Sequence, residues 1–97
     1  MPTYVTLFRY TQKGGEAIKD SPTRLDAAKK ATAAAGGKLL AFYLTMGQYD
    51  GVAVWEFPDD ETVARAALTG ISQGYTRGET LRAFTEEEYR RIVASLP

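Results

Sequence analysis

Tyr49 and Asp50 stand side by side ahead of Gly51, which puts a phenol next to a carboxylate at the edge of an apolar run. Such a pair can bind a polar ligand or relay a proton. Asp is equally a turn residue that accepts from nearby amides, and Tyr a common strand residue, so local preferences also account for the pair without a site. Lys19, Asp20 and Arg24 flank the start of a predicted helix, where with the amides near Ser21 they can hold an anion or form an ordinary solvated cap. Arg77, Glu79 and Arg82 fall within one strand-like segment. There Arg77 and Glu79 share a face and Arg82 takes the other, as in a subunit-interface salt bridge or a ligand clamp. Tyr10, Phe42, Tyr43, Trp55 and Phe57 can line a pocket for a planar apolar molecule, or fill a dimer core.

The composition narrows the chemistry further. No cysteine and no histidine occur, which removes disulfides, thiolate nucleophiles, imidazole bases and the usual ligands of haem, zinc or copper. The expectation is therefore no cofactor and no metal site; a hard cation on carboxylates is the one exception the residue types allow. Twelve basic and twelve acidic residues cancel, and no electropositive tract points to nucleic acid. The N-terminus begins directly with strand-like sequence, and no apolar run is long enough to cross a bilayer, so no membrane association and a cytoplasmic location are expected. At 97 residues the chain is read as one domain spanning 1–97.

The elements that must position these residues follow from pattern. Thr3 to Tyr10 is β-branched and aromatic and reads as a strand, with Val5 and Leu7 on one face and Tyr4, Phe8 and Tyr10 on the other. A polar loop, Thr11 to Gly15, follows, and Glu16 to Asp20 reads as a short separate turn. Ser21-Pro22 has the form of a helix cap and first position, opening a helix to about Ala35 with a stripe of Leu25, Ala28, Ala31 and Ala35 ended by Gly36-Gly37. Lys38 to Thr45 and Gly51 to Phe57 are strands joined by a link too short for a parallel crossover, hence an antiparallel hairpin. Asp59 caps a second helix bearing Val63, Ala66, Ala67 and Ile71 and ending near Gly74. Tyr75 to Phe84 is a polar fourth strand, suited to an edge, and Thr85 with Glu88 forms a capping box for a C-terminal helix carrying Tyr89, Ile92 and Val93.

The order predicts an α+β ferredoxin-like βαββαβ fold, with a four-stranded antiparallel sheet covered by helices on one face. Phe8, Tyr10, Phe42, Trp55 and Phe57 exceed what two helices can cover, so the open face is expected to pack against a second copy.

The run Leu44-Thr45-Met46-Gly47-Gln48-Tyr49-Asp50-Gly51-Val52-Ala53-Val54-Trp55-Glu56-Phe57-Pro58-Asp59-Asp60-Glu61 resembles the GYD-domain family. Tyr10-Thr11-Gln12, Ile18-Lys19-Asp20-Ser21-Pro22 and Glu79-Thr80-Leu81-Arg82-Ala83-Phe84-Thr85 stand in the order that family shows, so the resemblance covers nearly the whole chain. It implies a dimeric α/β-barrel, two four-stranded sheets facing each other around a core or pocket. Relatives in that wider group range from cofactor-free monooxygenases to regulatory ligand binders, so fold alone selects no activity.

The functional expectation is a homo-oligomeric small-molecule-binding or regulatory module, with any pocket near Tyr10, Tyr49, Asp50, Trp55 and Arg82. One alternative is a cofactor-free oxygenase or isomerase for a small aromatic or enolisable substrate, with Asp50 as base and Tyr49 or Arg82 stabilising negative charge. The other is a subunit whose only task is assembly.

Overall fold

The computed structural model describes residues 1–97. In chain order the elements are β1 (Thr3–Tyr10), α1 (Gln12–Glu16), a 3-10 turn (Ile18–Asp20), α2 (Ser21–Ala34), β2 (Lys38–Leu44), β3 (Gly51–Glu56), α3 (Asp60–Gln73), β4 (Thr76–Ala83) and α4 (Glu86–Ala94). The strands form one sheet in the order β2-β3-β1-β4, antiparallel throughout. This is the α+β ferredoxin-like fold, with β2 and β4 at the edges and one irregularity, between Leu39 and Ala41, in the β2 ladder.

Register decides which side chains share a face. Tyr4 lies opposite both Trp55 and Arg82, and Phe8 opposite Gly51 and Gly78, so these residues occupy one face. Tyr4, Phe8, Ala53 and Phe57 are the buried apolar residues, which identifies this as the face under the helices. The opposite face carries Val5, Leu7, Val52, Val54 and Leu81, with Tyr43 on the β2 edge. The expected placement of Phe8, Tyr10, Phe42, Trp55 and Phe57 on the uncovered face is thus corrected. Both faces of β1 are apolar, and a period of two cannot say which one the helices cover. An uncovered apolar face exists nonetheless: the molecule measures only 18 Å in its shortest dimension, the thickness of one sheet and one helical layer.

The segment after β1 is more ordered than the polar loop expected there. Thr11 caps α1 by accepting from the Gly14 amide at 3.1 Å, and a side chain at Gly14 would place its Cβ 2.0 Å from the Tyr75 carbonyl oxygen. Glycine, a poor helix former, is required there by close backbone approach. Ser21 is not the cap of α2; it is already helical (φ −59°, ψ −37°), because the 3-10 turn feeds straight into the helix. On α2 the inward residues are Leu25, Ala28 and Thr32, while Ala31 and Ala35 face solvent; the Thr32 hydroxyl donates to the Ala28 carbonyl at 2.8 Å, which lets it sit buried. On α3, Val63 and Ala67 turn inward and Ala66 and Ile71 outward. The Asp59 cap of α3 and the Thr85–Glu88 capping box of α4 form as expected.

α4 packs extensively against no other element. Its apolar side chains Tyr89, Ile92 and Val93 are all exposed, together with Leu96 beyond its end.

Candidate functional site

The link between β2 and β3 is stitched to the end of β1 by Asp50. Its amide donates to the Phe8 carbonyl at 2.8 Å, and its Oδ2 accepts from the Tyr10 amide at 2.9 Å. The Thr45 amide donates to the Asp50 carbonyl at 2.9 Å, and the Thr45 hydroxyl to the Tyr49 carbonyl at 2.7 Å, closing the loop on itself. Behind Asp50, the Phe8 ring lies over Gly51, where an added Cβ would come within 2.2 Å of the ring. Phe8 stacks on Phe42 at 5.9 Å and meets Tyr10 edge-on at 5.5 Å.

This stitching carries Tyr49 across the open face of the sheet. The Tyr49 hydroxyl donates to the Glu79 carboxylate on β4, and the Arg9 guanidinium sits 4.9 Å from the ring centroid. The hydrogen bond to Glu79 raises the Tyr49 pKa above the usual phenol value, since it favours the protonated hydroxyl. Arg9 also donates through Nε to the Gln48 carbonyl. Together Arg9, Gln48, Tyr49, Arg77, Gly78 and Glu79 line a cleft of about 520 Å³, open to solvent, at the end of β1 and β4.

Trp55 and Arg82 lie at the other end of the sheet from Tyr10, Tyr49 and Asp50. Both flank Tyr4, which is 2% exposed and donates its hydroxyl to the Asp60 carboxylate. Burial, then the Asp60 hydrogen bond, push the Tyr4 pKa up to about 12. Trp55 packs on Phe57 at 5.9 Å, and the Arg82 guanidinium lies 4.6 Å from the Phe84 ring and 5.7 Å from that of Tyr4. The five residues therefore divide into two groups, Tyr10, Tyr49 and Asp50 at one end and Trp55 and Arg82 at the other.

At the start of α2, Arg24 turns toward the body of the protein. Its Nη1 donates to the Ala17 carbonyl at 3.1 Å, and its guanidinium lies 4.1 Å from the Tyr75 ring, a ring also contacted by Lys13 at 4.4 Å. Lys19 is exposed and Ser21 half-buried, and neither side chain forms a hydrogen bond or an ion pair, so the three do not converge. No cluster of three or more acidic, histidine or cysteine side chains suited to a metal ion is formed. No helix is long and apolar enough to cross a membrane.

The residue overlooked by the sequence reading is Arg9. It continues the open-face row of Val5 and Leu7, and a charge ending an apolar row on a central strand was the available signal. That Arg77 stands opposite it depends on β1–β4 pairing, which local pattern does not encode.

Comparison with known proteins agrees with this architecture. A curated relative, the glutamine synthetase and cystathionine beta-lyase binding protein of Thermus thermophilus, is 36% identical over 84 residues, covering 86% of this chain and 88% of its own. A crystal structure of a protein from the same organism, Thermus thermophilus, superposes with a TM-score of 0.53 at 29% identity, covering 88% of this chain and 95% of its own. The GYD domain family model matches residues 4–93, and the chain belongs to the GYD-domain family.

Proposed function

We propose that this protein is a binding module that assembles with a second copy through the open face of its sheet and, so assembled, engages protein or small-molecule partners. The observation that carries this reading is the row Val5, Leu7, Val52, Val54 and Leu81, which no element of the chain covers. Leu81 is 45% exposed and Tyr43, beside the row, 62%. Val5, Leu7, Val52 and Val54 are already partly covered, so each gains only a fraction of the about 1.5–3 kcal/mol of full burial, but a contiguous apolar patch of this kind marks an interaction surface. The name of the Thermus relative, which describes binding to two enzymes, supports a binding role here as well. Of the groups whose chemistry suits catalysis, Asp50 uses its carboxylate to hold the Tyr10 amide, and Arg82 lies at the far end of the sheet from it.

Light scattering on the purified chain at micromolar concentration tests the assembly. The expected mass is a multiple of 10.6 kDa, and Leu7→Glu, placing a charge at the centre of the open face, reduces it to a single copy. A wild-type chain that runs as a monomer overturns the reading.

A further inference from the structure

Arg9 and Arg77 are directly opposed in the β1–β4 ladder, so their side chains leave the same face as neighbours. Like charges in that relation destabilise a sheet unless something neutralises them. No ion pair within the chain does. The ion pairs present are Arg65–Glu61 and Arg90–Glu86, both on exposed helix surfaces. Arg9 uses only Nε, toward the Gln48 carbonyl, and Arg77 forms no hydrogen bond. The one carboxylate in the cleft, Glu79, accepts from the Tyr49 hydroxyl through one oxygen and pairs with neither arginine, so its single charge leaves the two guanidinium groups in net excess.

We infer that the cleft at the end of β1 and β4 is a binding site for a small organic oxyanion, whose carboxylate or phosphoryl group is held between the Arg9 and Arg77 guanidinium groups. Guanidinium forks match the planar oxygens of such groups and form charge-assisted bonds to them. Tyr49 gives the site a floor: its ring fixes Arg9 from one side, and its hydroxyl ties the floor to β4 through Glu79. A ligand hydroxyl or ammonium would find Glu79 as acceptor, so the cleft suits an anion carrying such a donor better than a bare ion. At about 520 Å³ it accommodates a molecule of metabolite size. This site names the ligand class of the binding module proposed above and rests on that reading, although it is tested separately from assembly.

The test is calorimetric titration of the full-length protein with sodium phosphate and with sodium succinate, each against sodium chloride at matched ionic strength, because exposed charges are screened by salt. Saturable binding of either probe above the chloride control is expected, and which probe binds separates a phosphoryl from a carboxylate ligand. Arg77→Gln should weaken it about tenfold or more, the loss expected for one charge-assisted contact, while Arg65→Gln leaves it unchanged. Without anion, Arg77→Gln should be at least as stable as the wild type, since it relieves the opposition of like charges. Absence of saturable binding, wild-type affinity in Arg77→Gln, or a less stable Arg77→Gln overturns the site. So does dissociation of the assembly by Arg77→Gln, which would assign the arginines to carboxylates of a second copy. Light scattering reads assembly independently, so an oligomer without anion binding removes only this site, and a monomer that binds anion removes only the assembly.

Discussion

The Asp50 carboxylate accepts the Tyr10 amide across 40 positions of chain, at 2.9 Å, and so fixes the β2–β3 link to the end of the central strand. Tyr49, the residue before Asp50, reaches Glu79 from the link held in this way. Asp50→Ala leaves the half-buried Tyr10 amide without its partner and should cost about 1–3 kcal/mol, read as a lowered midpoint in urea unfolding. Asp50→Asn keeps an acceptor oxygen and should lose less than half of that. Equal losses from the two substitutions would show that the negative charge matters, and not the hydrogen bond.

Gly51 carries a second requirement at the same place. Alanine there would bring its Cβ within 2.2 Å of the Phe8 ring, which is itself wedged against Phe42 and Tyr10. Gly51→Ala should destabilise by about 1–3 kcal/mol through overpacking, measured by thermal or urea unfolding. Adding Phe8→Leu should then cost less than it does in the wild type, because the smaller side chain yields the space; strictly additive losses would place the strain elsewhere.

These cases show what could be read from the sequence. The Asp59 cap and the Thr85–Glu88 capping box were legible because each is a bond between residues three apart, fixed by local spacing. The strands and their order were legible from alternation and link length. The helix-covered face was not, because β1 sets Val5 and Leu7 against Tyr4 and Phe8, and both rows are apolar. Nor was the end-to-end separation of Trp55 and Arg82 from Asp50, which emerges only when Tyr4 pairs with both. The helical Gly14 was hidden for the same reason: its cause is the Tyr75 carbonyl, far away in sequence.

Tyr4 should titrate late. Its pKa is raised from 10.0 to about 12, so folding favours the protonated phenol. The stabilisation is fully present below the unfolded value of 10.0 and is lost as pH rises through about 12. Ultraviolet titration should show a phenol ionising near pH 12, and Tyr4→Phe should abolish that step; Tyr49, also raised through Glu79, is distinguished by Tyr49→Phe. A step that persists in Tyr4→Phe would assign the late ionisation to another phenol.

The C-terminal helix should melt on its own. α4 is held locally, by the reciprocal bonds of Thr85 and Glu88 at 3.2 and 2.9 Å, while its contact with the body is slight. The Thr85 amide holds the Glu88 pKa below its ordinary 4.5, so this contribution is present above that value and is lost as pH falls through the lower folded one. Thr85→Ala removes one of the two bonds, a loss of about 0.5–2 kcal/mol for a helix cap. A helix of nine residues is marginal alone, so that loss should appear as reduced helical circular dichroism and faster amide exchange confined to residues 86–94, with the sheet's urea midpoint unchanged. If the midpoint falls with it, α4 is coupled to the core after all. Because the monomer leaves Tyr89, Ile92 and Val93 exposed, that coupling would have to run through a second copy and would depend on protein concentration.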